Sequence, residues 1–208
     1  EEESPVAKRY DNKSVAEQNS IDVAWKKLMD PRYKDLRHII YQTTEEFRRF
    51  RKLLVNSVLA TDIMDPDLKV LRNNRWDKAF STSPSEESIR DETNRKATIV
   101  LEHLMQASDV AHTMQHWHIY KKWNGRLFKE LYKAYLDGRS EKDPSEFWYS
   151  GEIGFFDFYV IPLARKLKDC GVFGVSSAEY LQYAVNNRSE WEREGQKAVE
   201  ELCAEVNA

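Results

Sequence analysis

Apolar side chains recur along this chain at intervals of three and four, and no alternating run of useful length appears. That period belongs to amphipathic helices, so the pattern predicts an all-α chain. Only 7 Gly and 6 Pro punctuate it, and no internal repeat is visible. Ser14-Val15-Ala16-Glu17 reads as a capping box opening a helix, with Ile21, Ala24, Trp25 and Leu28 as its apolar stripe and a stop before Asp30-Pro31. Thr44 is the expected cap of the next helix, with Phe47, Phe50, Leu54 and Val58 inward and Thr61 just beyond. Asp65-Pro66 marks a turn or a new start. Residues 81 to 95 are polar and aperiodic, and read as a mobile loop leading to a cap at Asp91.

The later half is more regular. Ala97, Val100, Leu101, Leu104 and Ala107 form the stripe of a helix ending near Asp109. Another helix should run from about Trp117 to Leu136, closed by Gly138, with Tyr120, Trp123, Leu127, Leu131 and Ala134 inward. A third spans about Gly151 to Leu167 and should kink at Pro162. Gly171 and Gly174 break the chain, Ser176-Ser177-Ala178-Glu179 suggests a second capping box, and further helices reach the C-terminus. The sum is a bundle of roughly seven to nine helices, read as one domain over residues 1–208.

Composition narrows the function classes. With 41% apolar and 12% aromatic residues the chain is not disordered, and 208 residues suffice for a real core. Charged residues reach 32%, as long exposed helices would require, but the net charge is only -3 with both signs mixed. No basic block points to nucleic acid. No apolar run approaches the roughly 18 to 20 residues of a membrane span, so no direct membrane contact is expected from this segment. Cys170 and Cys203 form no CxxC pair and read as reduced thiols of a cytoplasmic protein. The acidic start Glu1-Glu2-Glu3-Ser4-Pro5 carries no signal peptide and reads as the interior of a longer polypeptide.

Four segments, in order, carry a resemblance: SVAEQNSIDVAW at 14–25, VLATDI at 58–63, SDVAHT at 108–113 followed by IYKKWNGRLFKEL, and GEIGFFDFYVIPL at 151–163. Together they resemble the C-terminal two-thirds of the class I 3′,5′-cyclic nucleotide phosphodiesterase catalytic domain, in a version similar to protist members. The resemblance implies the family's helical HD-type catalytic bundle, here without its N-terminal helices. It also implies hydrolysis of cAMP or cGMP to the 5′-monophosphate, with two divalent ions (zinc, and magnesium or manganese) and a cyclic nucleotide as the partner. Family members are often fused to upstream sensory or membrane segments.

Residue by residue, Asp109 takes the position of the aspartate that ligates both metals; without the resemblance it is an ordinary solvent-facing helix-end residue. Glu17 and Thr61 match residues that hold metal-bound water. Locally, Glu17 is also the third residue of a capping box, and Thr61 a hydroxyl bonded to its own backbone. Asp62 reads as structural. Phe155 matches the aromatic that stacks on the purine and Leu127 the apolar residue opposite, although stripe periodicity alone makes both ordinary core. Tyr120 and His112 match pocket residues, and Trp123 reads as packing. Glu152 is a departure, because the family carries glutamine there. An ionised carboxylate accepts but does not donate, which suits guanine N1–H and N2–H2 or adenine N6–H2 and leans toward cGMP. The 112/116 histidine spacing does not make a metal site, since no third ligand is spaced for it except Asp109.

The family's H-N-x-x-H and H-D-x-x-H stretches are not in these 208 residues; the first histidine is His38. Asp109 with waters on Glu17 and Thr61 is therefore expected to hold a first metal weakly, and the isolated chain to be inactive. The alternative is a non-catalytic helical module that binds nucleotide or regulates a partner.

Overall fold

The structure is a computed structural model of the chain that describes residues 4–80 and 89–206. The described residues contain ten α-helices and no strand, as the periodicity predicts. They fall into two compact units, residues 4–106 and 107–206.

The first unit holds α1 (Pro5–Arg9), α2 (Val15–Leu28), α3 (Lys34–Ile40), α4 (Thr44–Leu59), α5 (Pro66–Phe80) and most of α6 (Ile89–Asp109). An aromatic cluster joins α2 to α4: Trp25 lies 5.6 Å from Phe47 and 6.3 Å from Phe50, and Tyr41 packs edge-on to Phe47 at 5.1 Å. Two arginines serve helix C-termini, where carbonyls lack intrahelical partners. Arg37 donates to Leu28 O and Asp30 O after α2, and Arg72 to Leu59 O and Asp62 O after α4.

Local signals in this unit were partly misplaced. Ser14 precedes α2 in the left-handed region (φ 40°, ψ 47°), which turns its hydroxyl away from the helix. Instead of capping, Ser14 Oγ donates to Asp62 Oδ2 at 2.6 Å, so the expected capping box is absent. The real box is one residue earlier than expected on α4: Thr43 Oγ1 accepts from Glu46 N, and Glu46 returns a bond to Thr43 N. Asp65 caps α5, accepting from Asp67 N and Leu68 N. Residues 81–88 of the expected loop lie outside the described residues, whereas 89–95 are already helical, with Asp91 in the first turn of α6.

On α6 the buried face is Ile99, Glu102, His103, Gln106 and Ala107, whereas Ala97 and Leu101 are exposed. The apolar stripe mispredicts this face because the unit buries polar groups with partners. Glu102 pairs with Arg75 at 2.8 Å, and His103 Nδ1 lies 2.8 Å from Ile99 O and packs on Trp76.

The second unit contains α7 (Trp117–Leu136), α8 (Trp148–Phe155), α9 (Ile161–Asp169) and α10 (Ser177–Val206), and α10 packs on the other three. The predicted bounds of α7 hold: Gly138 sits at φ 72°, its N–H reaches Tyr135 O, and Arg139 N reaches Ala134 O. Its inward face does not hold. Tyr120 is buried, but Trp123, Leu127 and Leu131 are substantially exposed, and the buried positions are Asn124, Gly125 and Phe128. The kink expected at Pro162 is absorbed by a π-helical turn, Phe156–Val160, between α8 and α9. Proline cannot donate to the residue four before it, and a widened turn just upstream relieves that conflict. Beyond the left-handed Gly171 and Gly174 the chain ends in one 30-residue helix rather than several. Ser177 Oγ accepts from Phe173 N.

Gly195 tests this packing. A Cβ there would lie 2.8 Å from the Trp191 ring. Trp191 is fully buried, and its Nε1 donates to Tyr149 O at 3.0 Å, so it cannot yield cheaply. Helix propensity alone would make Gly195→Ala stabilising by about 1 kcal/mol; we expect a loss of about 1–3 kcal/mol. Urea unfolding beside Gly151→Ala, whose Cβ would meet Phe147 only at 3.8 Å, checks the sign.

Candidate functional site

Six of the eight predicted site residues belong to the second unit, and Glu17 and Thr61 to the first. In the first unit, the Ser14–Asp62 bond ties the start of α2 to the segment after α4. Glu17 stands in the first turn of α2 and Thr61 is adjacent to Asp62, so both sit at that junction. Glu17 is half-buried, and Thr61 Oγ1 donates to Val58 O at 2.8 Å. Asp62 is structural, accepting from Ser14 and from the backbone of Met64 and Asp65.

In the second unit, Glu152 is the end of a buried hydrogen-bond chain. Trp148 Nε1 donates to Asn124 Oδ1 at 3.2 Å, Asn124 Nδ2 donates to the Tyr120 hydroxyl at 3.3 Å, and Tyr120 donates to Glu152 Oε2 at 2.6 Å. Indole nitrogen can only donate, which orients the Asn124 amide and commits the Tyr120 proton to Glu152. Tyr120 is fully buried between Phe156 and Trp191, and its phenol is pushed well above its usual range by burial and by the nearby carboxylate. It therefore stays a neutral donor. Burial raises the Glu152 carboxyl above its usual range, opposed by the bonds from Tyr120 and Asn124.

Phe155 closes α8 three residues beyond Glu152 and stacks on Tyr159, with centroids 5.3 Å apart and planes 16° from parallel. One ring face is thus occupied within the chain. Leu127 lies two turns from Tyr120 along α7 and is 45% exposed, available for contact rather than core. His112 occupies a short 3-10 turn, Ala111–Met114, just after Asp109. Burial lowers its pKa while the Asp109 charge raises it, so the imidazole is predominantly neutral near pH 7. Asp109 itself is exposed at the end of α6. Asn187 of α10 pins the His112 turn, donating to Thr113 O at 2.9 Å and Gln115 O at 2.7 Å.

The sequence reading missed Asn124, Trp148 and Asn187. Asn124 stands four residues from Tyr120, a one-turn spacing that could have suggested a partner. Trp148 and Asn187 act across the fold and left no local signal. Among the described residues, no three His, Cys, Asp or Glu side chains gather in a way that could hold a metal ion. The groups present do not by themselves fit a metal centre.

The second unit thus holds a half-buried carboxyl, met by a donor of fixed polarity, three residues before Phe155. Comparisons with known proteins give it a family. Residues 1–173 match the family model for 3'5'-cyclic nucleotide phosphodiesterase. Over 197 residues the chain is 22% identical to the "Probable 3',5'-cyclic phosphodiesterase pde-3" of Caenorhabditis elegans, covering 89% of this chain and 27% of that protein. Over 177 residues it is 25% identical to the dual specificity calcium/calmodulin-dependent 3',5'-cyclic nucleotide phosphodiesterase 1B of Mus musculus, covering 80% and 30%. Among solved structures, the phosphodiesterase domain of the RhoPDE fusion protein from the choanoflagellate Salpingoeca rosetta shares the fold, with TM-score 0.67 at 22% identity over 91% of this chain and 59% of that one. The chain belongs to the 3',5'-cyclic nucleotide phosphodiesterase family. It spans less than a third of the length of these curated relatives. No described helix is long and apolar enough to cross a membrane.

The raised Glu152 carboxyl has a stability consequence. Folding favours its protonated form, so its contribution is fully present below the usual 4.5 and is lost as pH rises through the raised value. Glutamine at 152 can still accept from Tyr120 and does not ionise. Glu152→Gln should therefore gain stability relative to the parent between pH 4 and pH 8. Paired urea melts at the two pH values measure this, and a pH-independent difference would contradict the assignment.

Proposed function

We propose that this chain is the base-binding part of a phosphodiesterase catalytic domain that hydrolyses 3′,5′-cyclic nucleotides to 5′-monophosphates, with both units serving one domain. The observation that carries the reading is the hydrogen-bond chain ending at Glu152, the position at which the family presents glutamine to the purine. Tyr120 donates to Oε2, and this reading assigns the other carboxyl oxygen to the base. Ionised, that oxygen accepts from guanine N1–H or N2–H2, or from adenine N6–H2. Protonated, it can donate to a carbonyl or ring nitrogen, as an amide does. Phe155 offers an aromatic face and Leu127 an apolar side chain to the base.

The reaction needs charge neutralisation at the phosphoryl oxygens and an activated water, which divalent ions such as zinc with magnesium or manganese supply in this family. Asp109 is the carboxylate this chain would contribute, and Glu17 and Thr61 the groups that would orient water. The neutral His112 beside Asp109 suits a pocket position. The lack of a three-ligand group among the described residues supports reading the remaining ligands as external to them. It equally favours a second reading, in which the chain binds nucleotide without hydrolysing it. A cytoplasmic setting and fusion to sensory or membrane segments accompany the first reading.

The 208-residue chain alone should show no metal-dependent turnover of either cyclic nucleotide. A longer native polypeptide carrying the H-N-x-x-H and H-D-x-x-H stretches should be active and chelator-sensitive. In it Asp109→Asn should lower kcat/KM by about a hundredfold and Thr61→Ala by about tenfold. Turnover by the isolated chain overturns the fragment reading, and an inactive longer polypeptide favours the binding module. A tenfold preference for cAMP in kcat/KM would end the lean toward cGMP.

A further inference from the structure

Just over one turn of α10 reaches three other parts of the second unit. Asn187 holds the turn after Asp109 through Thr113 O and Gln115 O, and Trp191 Nε1 donates to Tyr149 O. Between them Arg188 crosses to Asp157, 31 positions earlier: Nε donates to Oδ1 at 3.0 Å and Nη2 to Oδ2 at 3.1 Å. Nη1 donates to Glu192, one turn further along α10. The Arg188 side chain is 23% exposed and that of Asp157 38%. Arg188 lies outside every motif assigned to the nucleotide site.

Asp157 belongs to the π-helical turn Phe156–Val160, a segment that depends on such a hold. Ile161 N–H closes the turn on Phe156 O, five residues back, and Pro162 brings no N–H to the carbonyls that follow. The direction of the turn is therefore set largely by what its side chains grip. Phe156 is fully buried and packs edge-on to Tyr120 at 5.2 Å, and the next residue, Asp157, is gripped by Arg188. Two parallel bonds between planar groups fix an orientation and not only a distance. The turn also carries Tyr159, whose ring stacks on Phe155 with centroids 5.3 Å apart and planes 16° from parallel. Phe155 immediately precedes the turn. A rotation of the turn thus tilts the ring against which Phe155 lies. A partly exposed ion pair contributes little to stability, so the main effect of this one falls on orientation.

We infer that Arg188 is a positioning residue for the base platform: its grip on Asp157 sets the direction of the π-helical turn and, through Tyr159, the plane of Phe155. The inference rests on the reading of Phe155 as the aromatic face offered to the base. Stacking depends on the mutual tilt of the two planes, so a misdirected turn weakens base binding without removing any group that touches the base. The bond to Glu192 supplies an internal control. It uses a different nitrogen of the same guanidinium and stays within α10, so its loss leaves the grip on Asp157 in place.

The test is titration of the 208-residue chain with cGMP and, separately, with cAMP, followed by NMR shifts of the base protons. The parent should bind at least one of them in the millimolar range, and Phe155→Leu should weaken binding about tenfold. Arg188→Gln and Asp157→Asn should each weaken it about fivefold. The double variant should lose no more than either single change, because both remove the same pair. Glu192→Gln should bind as the parent does. Urea midpoints should stay close throughout, whereas a merely structural Arg188 would move the midpoint and leave the affinity unchanged. If Arg188→Gln melts early, Asp157→Asn carries the test alone. Parent-like affinity of these two variants beside a weakened Phe155→Leu overturns the positioning role and leaves the platform reading standing, as does an additive double variant. Failure of the parent to bind either nucleotide even at tens of millimolar, or parent-like binding by Phe155→Leu, overturns the platform reading and this inference with it.

Discussion

The second unit depends on a single constraint: a carboxyl half-buried among helices must be given a donor, and that donor must be unable to turn away. Tyr120 meets both conditions. Phe156 and Trp191 hold its ring edge-on at 5.2 and 5.8 Å, so the hydroxyl has one place to be. Its proton is directed by Asn124, whose amide is oriented by the donor-only indole of Trp148. Three residues from α7 and α8 thus fix the polarity of one oxygen of Glu152. An apolar core could tolerate a rotated ring, whereas this network cannot, because each reversal leaves a buried polar atom unmatched.

The same constraint explains the surrounding geometry. The π-helical turn before Pro162 carries Phe156, the ring that confines Tyr120, and Asp157, whose carboxylate takes paired bonds from Arg188 at 3.0 and 3.1 Å. α10 supplies Trp191 against Tyr120 and Asn187 against the His112 turn. A single long helix therefore buttresses both the carboxyl network and the turn that follows Asp109. Such positioning is a matter of packing more than of motif, and it reaches across many tens of residues.

Helix existence was legible in the sequence, and so was α7 to the residue, because a period-3.6 run ended by a left-handed glycine leaves little freedom. Faces were less legible. On α7 the sequence puts Trp123, Leu127 and Leu131 on one stripe, yet the buried stripe carries Asn124 and Gly125. Hydrophobicity misassigns a face when a buried polar residue has a partner elsewhere, since that partner is invisible to a local window. Ser14 failed for another reason. A capping box assumes an extended N-cap residue, and Ser14 adopts a left-handed one that sends its hydroxyl 48 positions along the chain, to Asp62. For the candidate site, the sequence offers positions only one by one, as matches to family motifs. Asn124 and Trp148, which give Glu152 its donor, required the fold.

Buried Glu102 and half-buried Glu152 show why the surroundings of a carboxyl matter more than its burial. Burial raises both above the usual carboxylate range. Glu102 is met by the full charge of Arg75, so ionisation there is offset by a partner that would itself be stranded if the proton returned. Glu152 is met by a phenol and an amide, neutral donors that favour the carboxylate modestly and tolerate the acid. Glu102 thus has a fully charged partner and serves the architecture. Glu152, met only by neutral donors, has no such full opposing charge. The placement of a single arginine separates a carboxyl met by a full charge from one met by neutral donors.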